Sequence, residues 1–449
     1  LRERPDILTT FTPQNAASLP GGAWLHERRA AAAERFALAP LPTDKDEVWR
    51  YSRIDQLDLD RYRFGPPDGS GAAPSALVRT LVDGLGPRAG LVMTVGGTQA
   101  TATAPGPVPG LNVTGLAGHP EAESLFGGTA TDPSDFVLLN EAFAPDPVII
   151  DIAPGTVVGD PVVVVHVVGA SESALFPRTI VRCGASSRAS VVEIVVDPVG
   201  GLLGLDAPSG TPATGTAAAP PRHLVVPVTE LQVESGADLS VVSVQATGPE
   251  TWYLAHQASR IAAGAVLTSF TVALGGSYAR VRTDSALTGV SAASTLRAAY
   301  FGRGDQMLDF RTLQDHQAPR TTSDLLFMGA VAEQAHSVYS GLIRIRRGAV
   351  RSDARQTNHN LVLDEGARAD SVPNLDIEEN DVRCAHGSTV GPVDEDQRYY
   401  LESRGIEPEM AETLIVAGFF EDIADQVPVP GARRLISRAL AARTGADRG

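Results

Sequence analysis

Cysteine and lysine are nearly absent from this chain: Cys183 and Cys384 are its two thiols, and Lys45 is its single lysine. Two thiols so far apart in sequence exclude a disulfide framework and fit a reducing, cytoplasmic setting. They also exclude a self-sufficient four-thiolate cluster, and structural zinc likewise takes four ligands at closed spacing. The lone lysine stands in the acidic, helix-opening stretch "PTDKDEVW", and no G-x-x-x-x-G-K-[ST] loop exists to hold nucleotide phosphates. If ATP drives this protein's work, another chain hydrolyses it. Aromatic residues make up 5% of the sequence, few for a sugar-stacking groove. Positive charge is short as well: 37 Lys and Arg stand against 53 Asp and Glu, giving a net charge of −16. Phosphate repulsion is then unopposed, which disfavours nucleic acid as a partner. No eighteen uncharged apolar residues run together, and "LRERPDILTTFTPQNAASLP" has no apolar signal core, so no membrane partner is expected.

Ala, Gly and Val are abundant instead, within a hydrophobic content of 43%. Small and β-branched residues in such numbers suit thin stacked layers. Residues 1–145 read as a helical and mixed N-terminal region. "AWLHERRAAAAERFALAP" sets Trp24, Leu25, Arg28, Ala32 and Phe36 at helical spacings before Pro40 and Pro42. "DKDEVWRYSRI" reads as a second short helix, residues 66–88 as a Gly/Pro/Ser linker, "GLVMTVGG" as a strand and "PSDFVLLNEAFAPD" as a helix. From 146 to 390 the pattern changes to short β-branched runs, broken by turns with glycine at 184, 236, 264, 289, 348 and 366. Unevenly spaced strands with glycine corners suggest a mostly β chain wound on itself as a β-helix, with a large β-sandwich as the competing arrangement. The low-complexity stretch 199–222 reads as a disordered insertion. Residues 391–449 return to helical period. Asp394 is placed to cap a helix ending near Gly405, and a second helix follows over 407–426, stopped by Pro428 and Pro430. Met410, Leu414, Ile415, Val416, Phe419, Phe420 and Ile423 cover more than one face of that second helix. Such a helix packs on two sides, within the chain or against a partner.

The stretch "DVRCAHGSTVG" carries the most pointed chemistry. On a strand, Cys384 and His386 project to one face, about 7 Å apart along the backbone, with Asp381 close by and His359 on an earlier strand. The set could nucleate a metal or nascent-cluster site, or Cys384 could be a small buried hydrophobe and His386 a strand-end cap. Asp315, His316 and Ser323 resemble a nucleophile set, but no G-x-S-x-G elbow accompanies them. "GRGD" at 302–305 reads as chance, and Cys183 as structural.

Beyond these local readings, the stretches "DHQAPRTTSDLLFMGAV" and "VYSGLIRIRRGAVRSDARQTNHNLVLDEGARADSVPNLDIEENDVRCAHGSTVGPVDEDQRYYLESRGIEPEMAETLIVAGF" resemble the SufB/SufD family of iron–sulfur cluster assembly proteins. "LPTDKDEVWRYSRI" is similar to the family's Lys-Asp-Glu-x-Trp-x-Tyr signature. The run "CAHGSTVGPVDEDQRYYLESRGI" follows the SufD side of the family, with Ser388 in place of Ala and Tyr399 in place of Phe. The resemblance implies a right-handed parallel β-helix flanked by helical N- and C-terminal regions. It implies pairing with a SufB-like paralogue and docking of SufC, an ABC-type ATPase, on the C-terminal helices. Tyr399, Tyr400, Arg404, Met410, Leu414, Phe419 and Phe420 are the docking candidates. His386 then matches the histidine at the interface of the two paralogues, where a transient iron–sulfur cluster is shared; Cys384 belongs to the same motif, and His359 and Asp381 are candidate nearby ligands. A flavin at the level of the complex is left open. The expectation is a scaffold subunit that is not itself an enzyme. Two other classes stay in play: a β-helix enzyme acting on a carbohydrate or acyl substrate through Asp376, Glu378 and Asp381, and a stand-alone metal-binding protein using Cys384, His386 and His359.

Overall fold

Glycine corners and short β-branched runs fold here into a coil. The computed structural model describes residues 10–64, 74–103, 106–129, 134–169, 173–197 and 222–445. Over most of that length the chain passes alternately between a ten-stranded and an eleven-stranded sheet, parallel except at their first edges. The result is a parallel β-solenoid of about seven turns. Ala293, Thr322, Asp353 and Arg383 open neighbouring strands of the ten-stranded sheet, 29, 31 and 30 residues apart.

The corners explain the glycines. Gly264 takes φ +64°, the left-handed region that side chains resist. At Gly289 a Cβ would lie 2.0 Å from the Ala263 nitrogen of the turn beneath, so stacking of the corners requires its absence. Side chains alternate across each strand. Inward rows fill the interior with aliphatic residues such as Val181, Leu231, Val241 and Leu267 in the early turns. Outward rows meet the two flanking regions.

On the outward face of the eleven-stranded sheet, the N-terminal region packs Phe36, Trp49, Phe136 and Phe143 against Phe176, Trp252 and Tyr278. The helix Ala23–Leu38 buries Leu25, Arg29, Ala32, Ala33 and Phe36. The inward arginine is thus Arg29 rather than Arg28; its guanidinium donates to the carbonyls of Pro20, Ala144 and Pro145. On the outward face of the ten-stranded sheet lie Val416, Phe420, Ile423, Ile436 and Leu440 of the C-terminal helices. The C-terminal helices share this flank with Val78, Leu81, Val82 and Leu85 of the N-terminal region.

Several expectations change. "DKDEVWRYSRI" forms two 3-10 turns, Glu47–Trp49 and Ile54–Gln56, separated by Tyr51 at φ +66°. Within the predicted linker, Ala76–Gly84 is a helix that Ser75 caps by accepting from the Val78 amide, and it buries Val78, Leu81 and Val82. The strand Gly90–Val95 pairs in parallel with Val162–Val167, so the sheets draw on the N-terminal region too. Pro430 opens a third C-terminal helix, Pro430–Thr444, which sequence reading did not anticipate. The insertion read at 199–222 lies outside the described residues up to residue 221.

Candidate functional site

The solenoid ends on a rung formed by Arg368–Ile377 and Arg383–Gly391, the last strand of each sheet. Each pairs with a neighbour on one side only along its sheet, and its inward row continues that of the rung beneath. Ala354, Gln356, Asn358 and Asn360 of the penultimate rung are buried, and in register above them stand Cys384, His386, Ser388 and Val390. On the facing strand, Leu375 and Ile377 continue the rows of Ile343 and Ile345. These positions are interior by parity yet open to solvent: Leu375, Ile377 and Val390 are 38%, 43% and 46% exposed. Among the described residues nothing covers this end, which presents apolar side chains and unpaired strand edges.

Cys384 and His386 share this inward row, as expected. His386 is exposed; Cys384 is half-buried against Ala354, Ile343 and Ile345. Burial, with a smaller contribution from the Asp353 carboxylate, pushes the Cys384 thiol above its usual value, so it is protonated at neutral pH. His359 does not join them. It stands in register with Thr389 on the opposite face of the sheet and pairs with the Thr389 hydroxyl at 2.5 Å. Asp381 lies in the turn before the last strand, 3.7 Å from Arg351. Among the described residues no three His, Cys, Asp or Glu side chains converge on a metal position. The stand-alone metal site built on His359 is therefore not assembled.

The carboxylates of the enzyme reading are engaged in binding rung to rung. Asp376 accepts from Arg344 at 2.9 Å, and Glu378 accepts the Arg347 amide at 3.4 Å. His316 and Ser323 do come together, His316 Nε2 to Ser323 Oγ at 2.8 Å with Nδ1 to Thr321 Oγ1 at 2.7 Å, but both residues are buried inside the solenoid. Asp315 points to the other face and binds Arg346. The set is an internal crosslink. Cys183 is buried, with Sγ 3.2 Å from Ser187 Oγ, as a structural thiol should be.

Burial lowers the His316 pKa to about 4 from 6.5. The unfolded chain then takes up this proton first as pH falls, so stability is complete above about pH 6.5 and is lost towards pH 4. The full effect is about 3 kcal/mol. We expect His316→Gln to flatten the acid limb of stability by about that amount, read from urea midpoints at pH 7 and pH 4.5; an unchanged slope would refute the assignment.

On the C-terminal flank, Asp394 caps the helix Glu395–Ser403 by accepting from the Gln397 amide, and Gly405 follows it at φ +88°. Tyr399 is 73% exposed, Tyr400 is exposed with Arg404 over its ring, and Met410 and Leu414 of the helix Pro408–Ala424 also face solvent. Phe420 leaves the docking set: it is 2% exposed and packs on Phe301 of the solenoid. Phe419 is half-buried against it. The second helix does pack on two sides, against the sheet through Phe420 and Ile423 and against the third helix, with Leu414 left outside. No helix of the described residues is long and apolar enough to cross a membrane.

Fold and site together define a parallel β-solenoid protein whose Cys/His pair sits at an uncovered end. The chain belongs to the SufBD family of SUF-system iron–sulfur cluster assembly: the model described as "SUF system FeS cluster assembly, SufBD core domain" matches residues 166–419. An iron–sulfur cluster assembly SufBD family protein of Mycobacterium bovis is 37% identical over 219 residues, 47% of this chain and 55% of that protein. SufD of Escherichia coli is 28% identical over 222 residues, 49% of this chain and 52% of its own length. SufD of Bacillus subtilis is 38% identical over 133 residues, 30% of each chain. The first two alignments span about half the length of the relatives they match.

Proposed function

We propose that this chain is a SufD-type scaffold subunit, not itself an enzyme, that pairs with a SufB-like paralogue through the open end of its solenoid. A nascent iron–sulfur cluster forms there as shared cargo, with His386 as this chain's ligand and Cys384 beside it. The observation that carries the reading is the uncovered terminal rung, where His386 and Cys384 stand among exposed Leu375, Ile377 and Val390. One chain supplies too few ligands for a cluster, so a partner must bring the rest. The single lysine and the absent P-loop support a reading in which a SufC-type ATPase hydrolyses the ATP. Residues 391–449 receive it through Tyr399, Tyr400, Arg404, Met410 and Leu414, with Phe419 at the margin, while residues 146–390 carry the cluster site and residues 1–145 brace the solenoid on both flanks.

The two surfaces are separable by mutation. Co-expressed with a SufB-like and a SufC-like protein, Ile377→Glu is expected to weaken pairing with the paralogue at least tenfold while leaving the ATPase bound. Leu414→Asp should do the reverse. Tenfold corresponds to about 1.4 kcal/mol, modest for a charge placed in an apolar interface. Stoichiometry of the affinity-purified complex is the measurement, and loss of both partners from either variant alone would refute the division of surfaces.

A further inference from the structure

One interior column of the ten-stranded sheet can be followed through the ladder register: Val241, Ser269, Leu296, Leu325, Gln356 and His386. Leu296 and Leu325 fill it with aliphatic volume. At the next rung a glutamine stands where the packing asks for another leucine. Gln356 is 0% exposed, and neither its amide nitrogen nor its amide oxygen has a hydrogen-bond partner. A buried polar group left unpaired is destabilising, and a leucine there would avoid that loss. The neighbouring polar groups show what satisfaction looks like. Tyr300 donates to Asn360 at 2.7 Å, Asn360 to Asn358 at 2.7 Å and Asn358 back to Tyr300 at 3.0 Å, a closed circuit that omits Gln356.

The fold also makes room for this amide. A Cβ at Gly341, on the facing strand of the same rung, would lie 2.3 Å from the Tyr339 hydroxyl and 2.7 Å from both Gln356 amide atoms, closer than side chains pack, so the glycine leaves space for both side chains. One rung nearer the open end, the Ser371 hydroxyl is likewise buried and unpartnered. Gln314, one rung deeper on the facing sheet, is unpaired too. Of these three unpaired interior groups, Gln356 is the one in register directly beneath His386. A buried polar atom without a partner calls for an explanation, and the column supplies one.

A histidine that binds metal through one ring nitrogen generally donates the other N–H to an oxygen acceptor, which fixes ring orientation and tautomer. No hydrogen bond ties His386 to another described residue. Gln356 carries a free carboxamide oxygen at the adjacent position of the column, one strand spacing of about 4.8 Å away. Resting on the reading of His386 as a cluster ligand, we infer that Gln356 is its positioning residue: the Gln356 side-chain oxygen accepts the second ring N–H of His386 when the first ring nitrogen meets iron.

The test uses Gln356→Leu, Gln356→Glu and His386→Ala in the full chain and in its complex with the paralogue and ATPase, prepared anaerobically. Gln356→Leu is expected to melt at or above the wild-type temperature, because it removes the unpaired amide. Its complex should nevertheless hold at least tenfold less cluster, by iron and sulfide content, in line with the usual cost of losing such a partner. Gln356→Glu keeps an acceptor oxygen and should restore occupancy to within about threefold. Remaining cluster in Gln356→Leu should show altered hyperfine coupling from the remote imidazole nitrogen. Wild-type occupancy and coupling in Gln356→Leu, while His386→Ala loses its cluster, would overturn this inference and leave the function standing. A lowered melting temperature with cluster loss that Gln356→Glu fails to restore would make Gln356 a packing residue and also overturn it. Full cluster in His386→Ala would overturn the functional reading itself, and this inference with it.

Discussion

His386→Ala is expected to lower the cluster content of the assembled complex at least tenfold while leaving the chain's folding stability nearly unchanged. The two halves of that expectation come from different facts. His386 is exposed at the end of the interior column, so its truncation opens no cavity. Surface substitutions of this kind shift stability by about 0.5 kcal/mol or less. A metal ligand contributed by one partner, in contrast, is not replaced by water without loss when the other ligands come from a second chain. Cys384→Ala should have a smaller effect on cluster content, because its thiol is half-buried against Ala354, Ile343 and Ile345. The measurement is iron, sulfide and visible absorbance per complex, alongside thermal melts of each isolated variant. Wild-type cluster content in His386→Ala would refute the role given to this residue. Cluster loss accompanied by a large drop in melting temperature would point to misfolding rather than to a missing ligand.

Much of this arrangement was legible in the sequence, and the illegible parts have identifiable causes. The β-helix followed from short β-branched strands with glycine corners. Its turn length near thirty residues did not, because an interior column asks for volume rather than identity: Val241, Ser269, Leu296, Leu325 and Gln356 occupy equivalent places without resembling one another. The Cys384/His386 pair was legible by strand parity, although its assignment to cluster assembly came from the resemblance. His359 was misplaced because parity within one strand says nothing about parity against another; the register to Thr389 decides that. Phe420 and Leu414 could not be told apart as inward and outward, since the helix is apolar around most of its circumference and lacks a dominant stripe. The helix Ala76–Gly84 was hidden by flanking glycine and proline, which mark turns but do not limit what lies between them. Gln356 gave no signal at all: in "RQTNHN" a glutamine reads as an ordinary polar strand residue, and its burial is set by the rung placed over it.

The largest loss of stability is expected from Asp309→Ala, at a position far from the cluster site. The Asp309 carboxylate is fully buried and accepts from the Tyr278 hydroxyl at 2.7 Å, from Arg280 at 2.6 Å and from Arg311 Nε at 2.6 Å. Both arginines then reach outward to the signature segment of the N-terminal region. Arg280 donates to the Val48 carbonyl and stacks over the Trp49 ring at 3.8 Å, while Arg311 donates to the Arg50 carbonyl. Removing the carboxylate leaves two buried guanidinium groups without their counter-charge. Breaking a buried pair in this way costs about 3–5 kcal/mol, a large share of the 5–15 kcal/mol or so that holds a typical domain folded. The injury should also be local, since the same arginines pin residues 48–50 to the solenoid. Lys45, the single lysine, makes that locality measurable: a lysine-specific protease has one site in the chain, adjacent to the pinned segment. Cleavage at Lys45 should accelerate in Asp309→Ala, with a lowered urea midpoint. Asp309→Asn, which keeps an acceptor oxygen, should fall between the variant and wild type. The carboxylate is held below its usual range by Arg280 and Arg311, against its burial, so its contribution is complete at neutral pH and fades as pH falls through that lowered value. The stability gap between wild type and Asp309→Ala should therefore close in strong acid. A gap that persists there, or a Lys45 bond no more accessible than in wild type, would mean that the buried charges do not anchor the N-terminal region.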